Sequence, residues 1–147
     1  MSISETINCF KSFFALPPMT NSKGDPTHVV YGIARLIGKL RSEHLDYLAF
    51  AFDSEGKTFR HTLYSEYKAN REKAPSEFKA QIPLVFELLE AHNIPVFTCE
   101  GYEADDIIGT LARIAEEQGF TVVMVTGDKD FRQLITPRVC MWDTMKD

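Results

Sequence analysis

The stretch between Gly101 and Leu134 constrains this chain most. It reads Gly-Tyr-Glu-Ala-Asp-Asp, then a helical pattern, then Thr-Val-Val-Met-Val, then Thr-Gly-Asp-Lys-Asp-Phe. Ala104, Ile107, Ile108, Leu111, Ala112 and Ala115 are apolar at i, i+3, i+4, i+7, i+8 and i+11, the spacing of one helix face. Gly119 supplies a C-terminal stop. Thr121 to Val125 is short, apolar and rich in β-branched residues, which suits a strand covered on both faces. Glu103, Asp105 and Asp106 therefore fall at a helix N-terminus, and Asp128 and Asp130 just past the end of a strand. In an open α/β sheet both kinds of position lie on the ligand-binding edge. Five carboxylates are expected to converge on one small volume.

Closely spaced carboxylates repel and resist ionising together. A hard divalent cation relieves that conflict, because Mg²⁺ and Mn²⁺ take oxygen ligands. Two such ions sharing carboxylates can clamp a phosphodiester. The competing explanation is local: acidic residues in a first helical turn favour the helix dipole and cap free N–H groups. Either cluster alone fits that explanation. Two clusters joined by a helix and a strand favour a metal.

The 147 residues make one domain with room for a real core. No run has the length of a membrane helix, and the N-terminus lacks a signal-peptide pattern. Cys9, Cys99 and Cys140 are odd in number and lack metal-ligand spacing, so reduced thiols and a cytoplasmic location are expected. The net charge of −5 argues against broad nonspecific binding of nucleic acid, although a total hides its distribution.

Along the chain, Ile7, Phe10, Phe13 and Phe14 have helical spacing and predict a short amphipathic helix near the start, with no strand before it. Ala15 to Pro26 is a proline-rich loop. Thr27 can cap a helix to about Ser42, with Val30, Ile33, Ala34, Ile37 and Leu40 as its apolar face. Tyr47 to Phe52 is a buried strand ending at Asp53, a third acidic position of the same kind. A lone aspartate there is ordinarily a turn residue. A helix from about Ser76 to His92 contains Pro83, which predicts a kink or a later start. Ile94 to Thr98 is a strand, Asp130 to Leu134 a short helix, and Val139 to Trp142 a last strand. Strands alternating with helices predict a parallel sheet with right-handed crossovers, helices on both faces and the acidic positions on one edge.

Lys57 to Arg71 is basic: Lys57, Arg60, Lys68 and Arg71 are interleaved with Phe59, Tyr64 and Tyr67. Cations among aromatic rings suit a phosphate backbone carrying unstacked bases. By itself the segment reads as well as a solvated helix face with its rings turned to the core.

Ala15-Leu-Pro-Pro-Met-Thr-Asn-Ser-Lys-Gly, Ala51-Phe-Asp, Thr58-Phe-Arg, Tyr67-Lys-Ala-Asn-Arg, Gly101-Tyr-Glu-Ala-Asp-Asp and Thr126-Gly-Asp-Lys-Asp together resemble the 5′-nuclease domain of bacterial DNA polymerase I, of the flap endonuclease family. The resemblance runs from about Phe10 to Asp147. It implies a three-layer α/β/α, mainly parallel, PIN-like (Rossmann-like) fold. It also implies a 5′-3′ exonuclease or 5′-flap endonuclease that hydrolyses DNA with 5′ ends, flaps or nicks, using two Mg²⁺ or Mn²⁺ ions. By resemblance Asp53, Glu103 and Asp105 serve one metal, Asp105, Asp128 and Asp130 the other, and Asp106 belongs to the same acidic group. Lys68 and Arg71 match the basic pair that engages the scissile phosphate, with Tyr67 as their aromatic neighbour. Lys57 and Arg60 join them as DNA-binding candidates. Residues 57 to 75 match the segment that arches over the active site.

Three departures modify that expectation. The family opens with a strand ending in a metal-binding aspartate. Counting back from Ala15, that position falls at Ser4, with no room for the strand before it. The family also continues beyond the position of Asp147 into further metal ligands, so residues 1–147 are expected to be one nuclease N-terminal domain truncated at both ends. His28 stands where the family usually has glycine. A missing first strand would leave the edges at 47–52 and 121–125 open to self-association, unless residues 1–14 cover them. The alternative function is a catalytically dead remnant that binds DNA or a partner. A receiver-like signalling domain ranks lowest, because its acidic pair would follow the first strand.

Overall fold

The computed structural model describes the backbone of residues 4–9 and the whole of residues 17–54, 56–64, 66–67 and 75–143. Five strands form one sheet: β1 (Ser4–Cys9), β2 (Tyr47–Ala51), β3 (Val96–Phe97), β4 (Thr121–Val125) and β5 (Val139–Trp142), in the order β3-β2-β1-β4-β5. All four pairings are parallel. The helices are α1 (His28–Ser42), α2 (Phe59–Leu63), α3 (Ser76–Ala91) and α4 (Ala104–Glu117), with a 3₁₀ helix at Lys129–Leu134.

The three-layer arrangement follows from alternation along the strands. In β2 and just past it, Phe50 and Phe52 face a cluster formed with Val29, Ile33 and Ile37 of α1 and Val85 and Leu89 of α3. Ala51, between them, faces the opposite cluster with Ile108 and Ala112 of α4 and Val122 and Met124 of β4. Residues i and i+2 share a face of a strand while i+1 takes the other. Burying an isoleucine or leucine contributes about 1.5–3 kcal/mol, so Ile33, Ile37, Leu89 and Ile108, all at 0–1 % exposure, anchor the two helical layers.

The N-terminal expectation is corrected. Ser4–Cys9 is a strand, and it is the central one, pairing with β2 on one side and β4 on the other. Phe10, Phe13 and Phe14, which gave the helical spacing, lie outside the described residues. The reason for the strand is in its neighbours. β2 and β4 each present a row of backbone groups toward the gap between them, and only an extended segment satisfies both rows. That demand is indifferent to the polar side chains of the sequence Ser-Glu-Thr-Ile-Asn-Cys. β1 also covers the edges from which self-association was expected; the sheet's outer strands are β3 and β5 instead.

Two smaller differences have local causes. α3 begins at Ser76 and runs continuously past Pro83. Pro83 is exposed, so the carbonyl it deprives of a partner faces the solvent side, where helices tolerate such a loss. In α1 the buried set is Val29, Gly32, Ile33, Ile37 and Leu40 rather than one led by Val30. Val29 is fixed by its backbone N–H, which donates to Oε1 of the buried Gln81 at 2.8 Å.

Candidate active site

β2 and β4 flank β1 and run parallel to it, so Asp53 and Asp128, just past their C-terminal ends, lie on the same edge of the sheet. α4 begins at that edge. Gly101 turns the preceding loop with φ +81°, a conformation that costs other residues strain. Glu103 then occupies the N-cap position in extended conformation, with Asp105 and Asp106 in the first turn. The helix N-terminus carries orphan N–H groups and a positive dipole end, which favour carboxylates there.

Two carboxylates meet those orphan donors. The Ala104 backbone N–H donates to Asp53 Oδ1 at 2.7 Å, and the Glu103 N–H donates to Asp106 Oδ2 at 3.0 Å. Asp128 caps the 3₁₀ helix, its Oδ1 accepting from the Asp130 N–H at 3.1 Å. The local capping explanation and a functional one therefore apply to the same side chains.

A cleft of ≈ 570 Å³ opens beside α4, lined by Glu103, Asp105, Asp106 and Asp130 together with Arg60 and Tyr67. Arg60 donates through both terminal nitrogens to Asp106, at 2.6 and 2.7 Å, and lies 3.9 Å from Glu103 Oε2. The bond to Asp106 holds the Arg60 guanidinium proton well above the ordinary arginine range, against the opposing effect of desolvation. The Tyr67 hydroxyl donates to Glu103 Oε2 at 3.2 Å.

Four of the six acidic candidates thus share one cleft, while Asp53 and Asp128 sit on the same edge without lining it. The donors are all carboxylate oxygens, which suits a hard divalent cation. Among the described residues, however, no group of three His, Cys, Asp or Glu side chains is drawn together as a finished metal site. Ser4, where the family aspartate was expected, opens β1 opposite Thr121, at the far end of the strand from this edge. The β1 residue level with Phe50 and Val125 is Asn8.

Of the basic candidates, Arg60 is in the cleft and Lys57 is exposed outside it; Lys68 and Arg71 lie outside the described residues. Arg113 lines the cleft and went unremarked in the sequence. It stands seven residues after Asp106 on α4, so helical spacing alone places the two on one face.

Comparison with known proteins gives the same direction throughout. The family model described as 5′-3′ exonuclease, N-terminal resolvase-like domain, matches residues 5–147. DNA polymerase I of Bacillus caldotenax is 46 % identical over 138 residues, covering 93 % of this chain and 16 % of that protein. A 5′-3′ exonuclease of Aquifex aeolicus (strain VF5) is 42 % identical over 139 residues, covering 94 % of this chain and 48 % of that protein. The chain therefore spans less than half the length of these relatives. Among solved structures, T5 5′-exonuclease with bound zinc overlays with a TM-score of 0.65 at 21 % identity, covering 97 % of this chain and 56 % of that one. A mutant of the same exonuclease reaches 0.71 at 18 % identity, covering 98 % and 51 %. At these identities the overlays establish the fold.

Proposed function

Because the chain belongs to the 5′-3′ exonuclease N-terminal, resolvase-like family, we propose that it is the N-terminal part of a metal-dependent 5′-nuclease that hydrolyses DNA phosphodiesters near 5′ ends, flaps or nicks. The observation that carries this reading is the convergence of Glu103, Asp105, Asp106 and Asp130 on one cleft at the C-terminal edge of a parallel sheet. Its relatives support it: one is named a 5′-3′ exonuclease, and a T5 flap endonuclease of the same fold is described in complex with DNA and metal ions.

In this reading Glu103, Asp105 and Asp130 hold Mg²⁺ or Mn²⁺ in the cleft, with Asp53 and Asp128 behind them on the sheet edge. A divalent cation there would stabilise charge developing on the phosphoryl oxygens and acidify a bound water. The rest falls to the chain. The carboxylates orient by the α4 N-terminus, whose dipole offsets part of their mutual repulsion. Lys68 and Arg71, following Tyr67 in sequence, bring cations to the scissile phosphate, and Lys57 adds backbone attraction. The same reading places the protein in the cytoplasm with its DNA.

One observation favours a second reading, a module that binds DNA without cutting it. The family's first-strand aspartate has no counterpart at the site, since Ser4 lies at the opposite end of β1. Cleavage of a labelled 5′-flap duplex in Mg²⁺ or Mn²⁺, with Asp128→Ala as control, separates the two. Metal-dependent cleavage lost in the control supports the nuclease. Flap binding with no cleavage in either metal rejects it in favour of the binding module.

A further inference from the structure

The geometry points to Arg60 and Asp106 as a positioning pair that pins the basic segment to the start of α4, with Asp106 standing outside the set of carboxylates that hold the cation. The assignment of a cation to this cleft rests on the nuclease reading; the pinning itself does not.

Asp106 has both oxygens engaged by protein donors. Oδ2 accepts from Arg60 at 2.6 Å and from the Glu103 N–H at 3.0 Å, and Oδ1 accepts from Arg60 at 2.7 Å. A fork-to-fork guanidinium–carboxylate pair is among the stronger and most directional side-chain contacts. To ligate a cation, Asp106 would have to give up that pair and the cap of its own helix. It therefore stands apart from Asp105 in role, despite being its neighbour in sequence.

Arg60 lies on α2, a helix of five residues with none of them buried. So short a helix has little stability of its own, and α2 takes its position from contacts with the loop leading into α4. The Phe59 N–H donates to the Gly101 carbonyl at 2.9 Å. The Phe59 and Tyr102 rings pack at 5.5 Å between centroids, and the Arg60 guanidinium covers the Phe59 ring at 4.6 Å. At the far end of the segment the Tyr67 hydroxyl reaches Glu103. Phe59 and Arg60 at one end and Tyr67 at the other are thus fastened to residues 101–106.

The test uses the full chain and the variants Arg60→Ala, Arg60→Lys, Asp105→Asn, Asp106→Asn and the Arg60→Ala/Asp106→Asn double. Amide hydrogen exchange at Phe59 and Tyr64 should quicken about tenfold in either single variant, with the double no faster, while mid-α4 amides are unchanged. Calorimetry with Mn²⁺ should give Asp105→Asn a clearly larger loss of affinity than Asp106→Asn, which acts only through its neighbours Glu103 and Arg60. In flap cleavage, Arg60→Ala should lower kcat with KM within about threefold, and Arg60→Lys should recover only part, since lysine cannot make the paired contact. Additive exchange effects, or an Asp106→Asn loss of Mn²⁺ equal to that of Asp105→Asn, would overturn the assignment. If the parent neither binds Mn²⁺ nor cuts DNA, the nuclease reading fails, and the exchange measurements still decide whether the pair pins the segment.

Discussion

Asp53 accepts a hydrogen bond from the backbone N–H of Ala104 at 2.7 Å across 51 residues of sequence. One side chain therefore ties the end of β2 to the start of α4. This contact has a thermodynamic signature independent of any metal. Removing a cap of this kind costs about 0.5–2 kcal/mol. Asp53→Ala should lower stability by about that amount, and Asp53→Asn, which keeps an acceptor, by about half or less. Chemical denaturation of both variants without added metal checks this. Equal stability of Asp53→Ala and the parent would show that the cap contributes nothing.

Gly101→Ala should destabilise the chain by about 1 kcal/mol or more through its φ of +81° alone. No atom lies within 4 Å of a Cβ placed there, so steric clash is not the cause. The same substitution should disturb the Gly101 carbonyl that receives the Phe59 N–H. Thermal melting reports the first effect and exchange at Phe59 the second. A variant as stable as the parent would mean that the loop adapts freely.

If the chain cuts DNA, Lys68→Ala should reduce the cleavage rate more than it reduces affinity. A cation at the scissile phosphate acts on charge that develops in the transition state. Loss of one phosphate contact should weaken binding modestly and lower the salt slope by about one. Single-turnover cleavage beside a salt titration of binding separates the two. A preserved rate with greatly weakened binding assigns Lys68 to docking.

Divalent binding should be weak and dominated by one site, with Mn²⁺ held more tightly than Mg²⁺. The cleft offers carboxylate oxygens, the family's first-strand aspartate is missing from the edge, and Mg²⁺ readily keeps several waters. Calorimetry with each metal tests this. Two tight sites would show that residues outside the cleft supply more ligands than Glu103, Asp105 and Asp130.

The contribution of Arg60 to stability should be flat from pH 7 to about pH 10. Its pairing raises the folded-state pKa above the unfolded value. The stabilisation is therefore fully present below the unfolded arginine pKa, far above this range, and is lost only as pH rises through the still higher folded value. Denaturation of the parent and Arg60→Ala across that range should give a constant difference. A difference that shrinks by pH 9 would mean that the pair is not maintained in solution.

Sequence made the α4–β4 unit legible because every signal there agrees: apolar spacing from Ala104 to Ala115, a stop at Gly119 and β-branched residues from Thr121. The shared edge of Asp53 and Asp128 followed from the same alternation of elements. β1 was not legible, because a strand filling a slot between two others is specified by their backbones and not by its own polar residues. The pairing of Arg60 with Asp106 was equally hidden. An ion pair between residues 46 positions apart leaves no local pattern, so Asp106 read as one more member of an acidic run.

β2 and β4 touch the sheet's centre only through β1, which is the first of the five strands to be synthesised. Asn8 finds its partner Val125 more than a hundred residues later. At about 5–20 residues per second, the ribosome completes β4 on the order of ten seconds after β1 has been made. Until then the strand that will join the two halves of the sheet has, at most, one side to bind. The α1–α3 half can assemble on β2 and β3 in that interval, but the edge that gathers Asp53 and Asp128 cannot close. The acidic edge therefore closes only once β4 has been made, on a strand synthesised long before it.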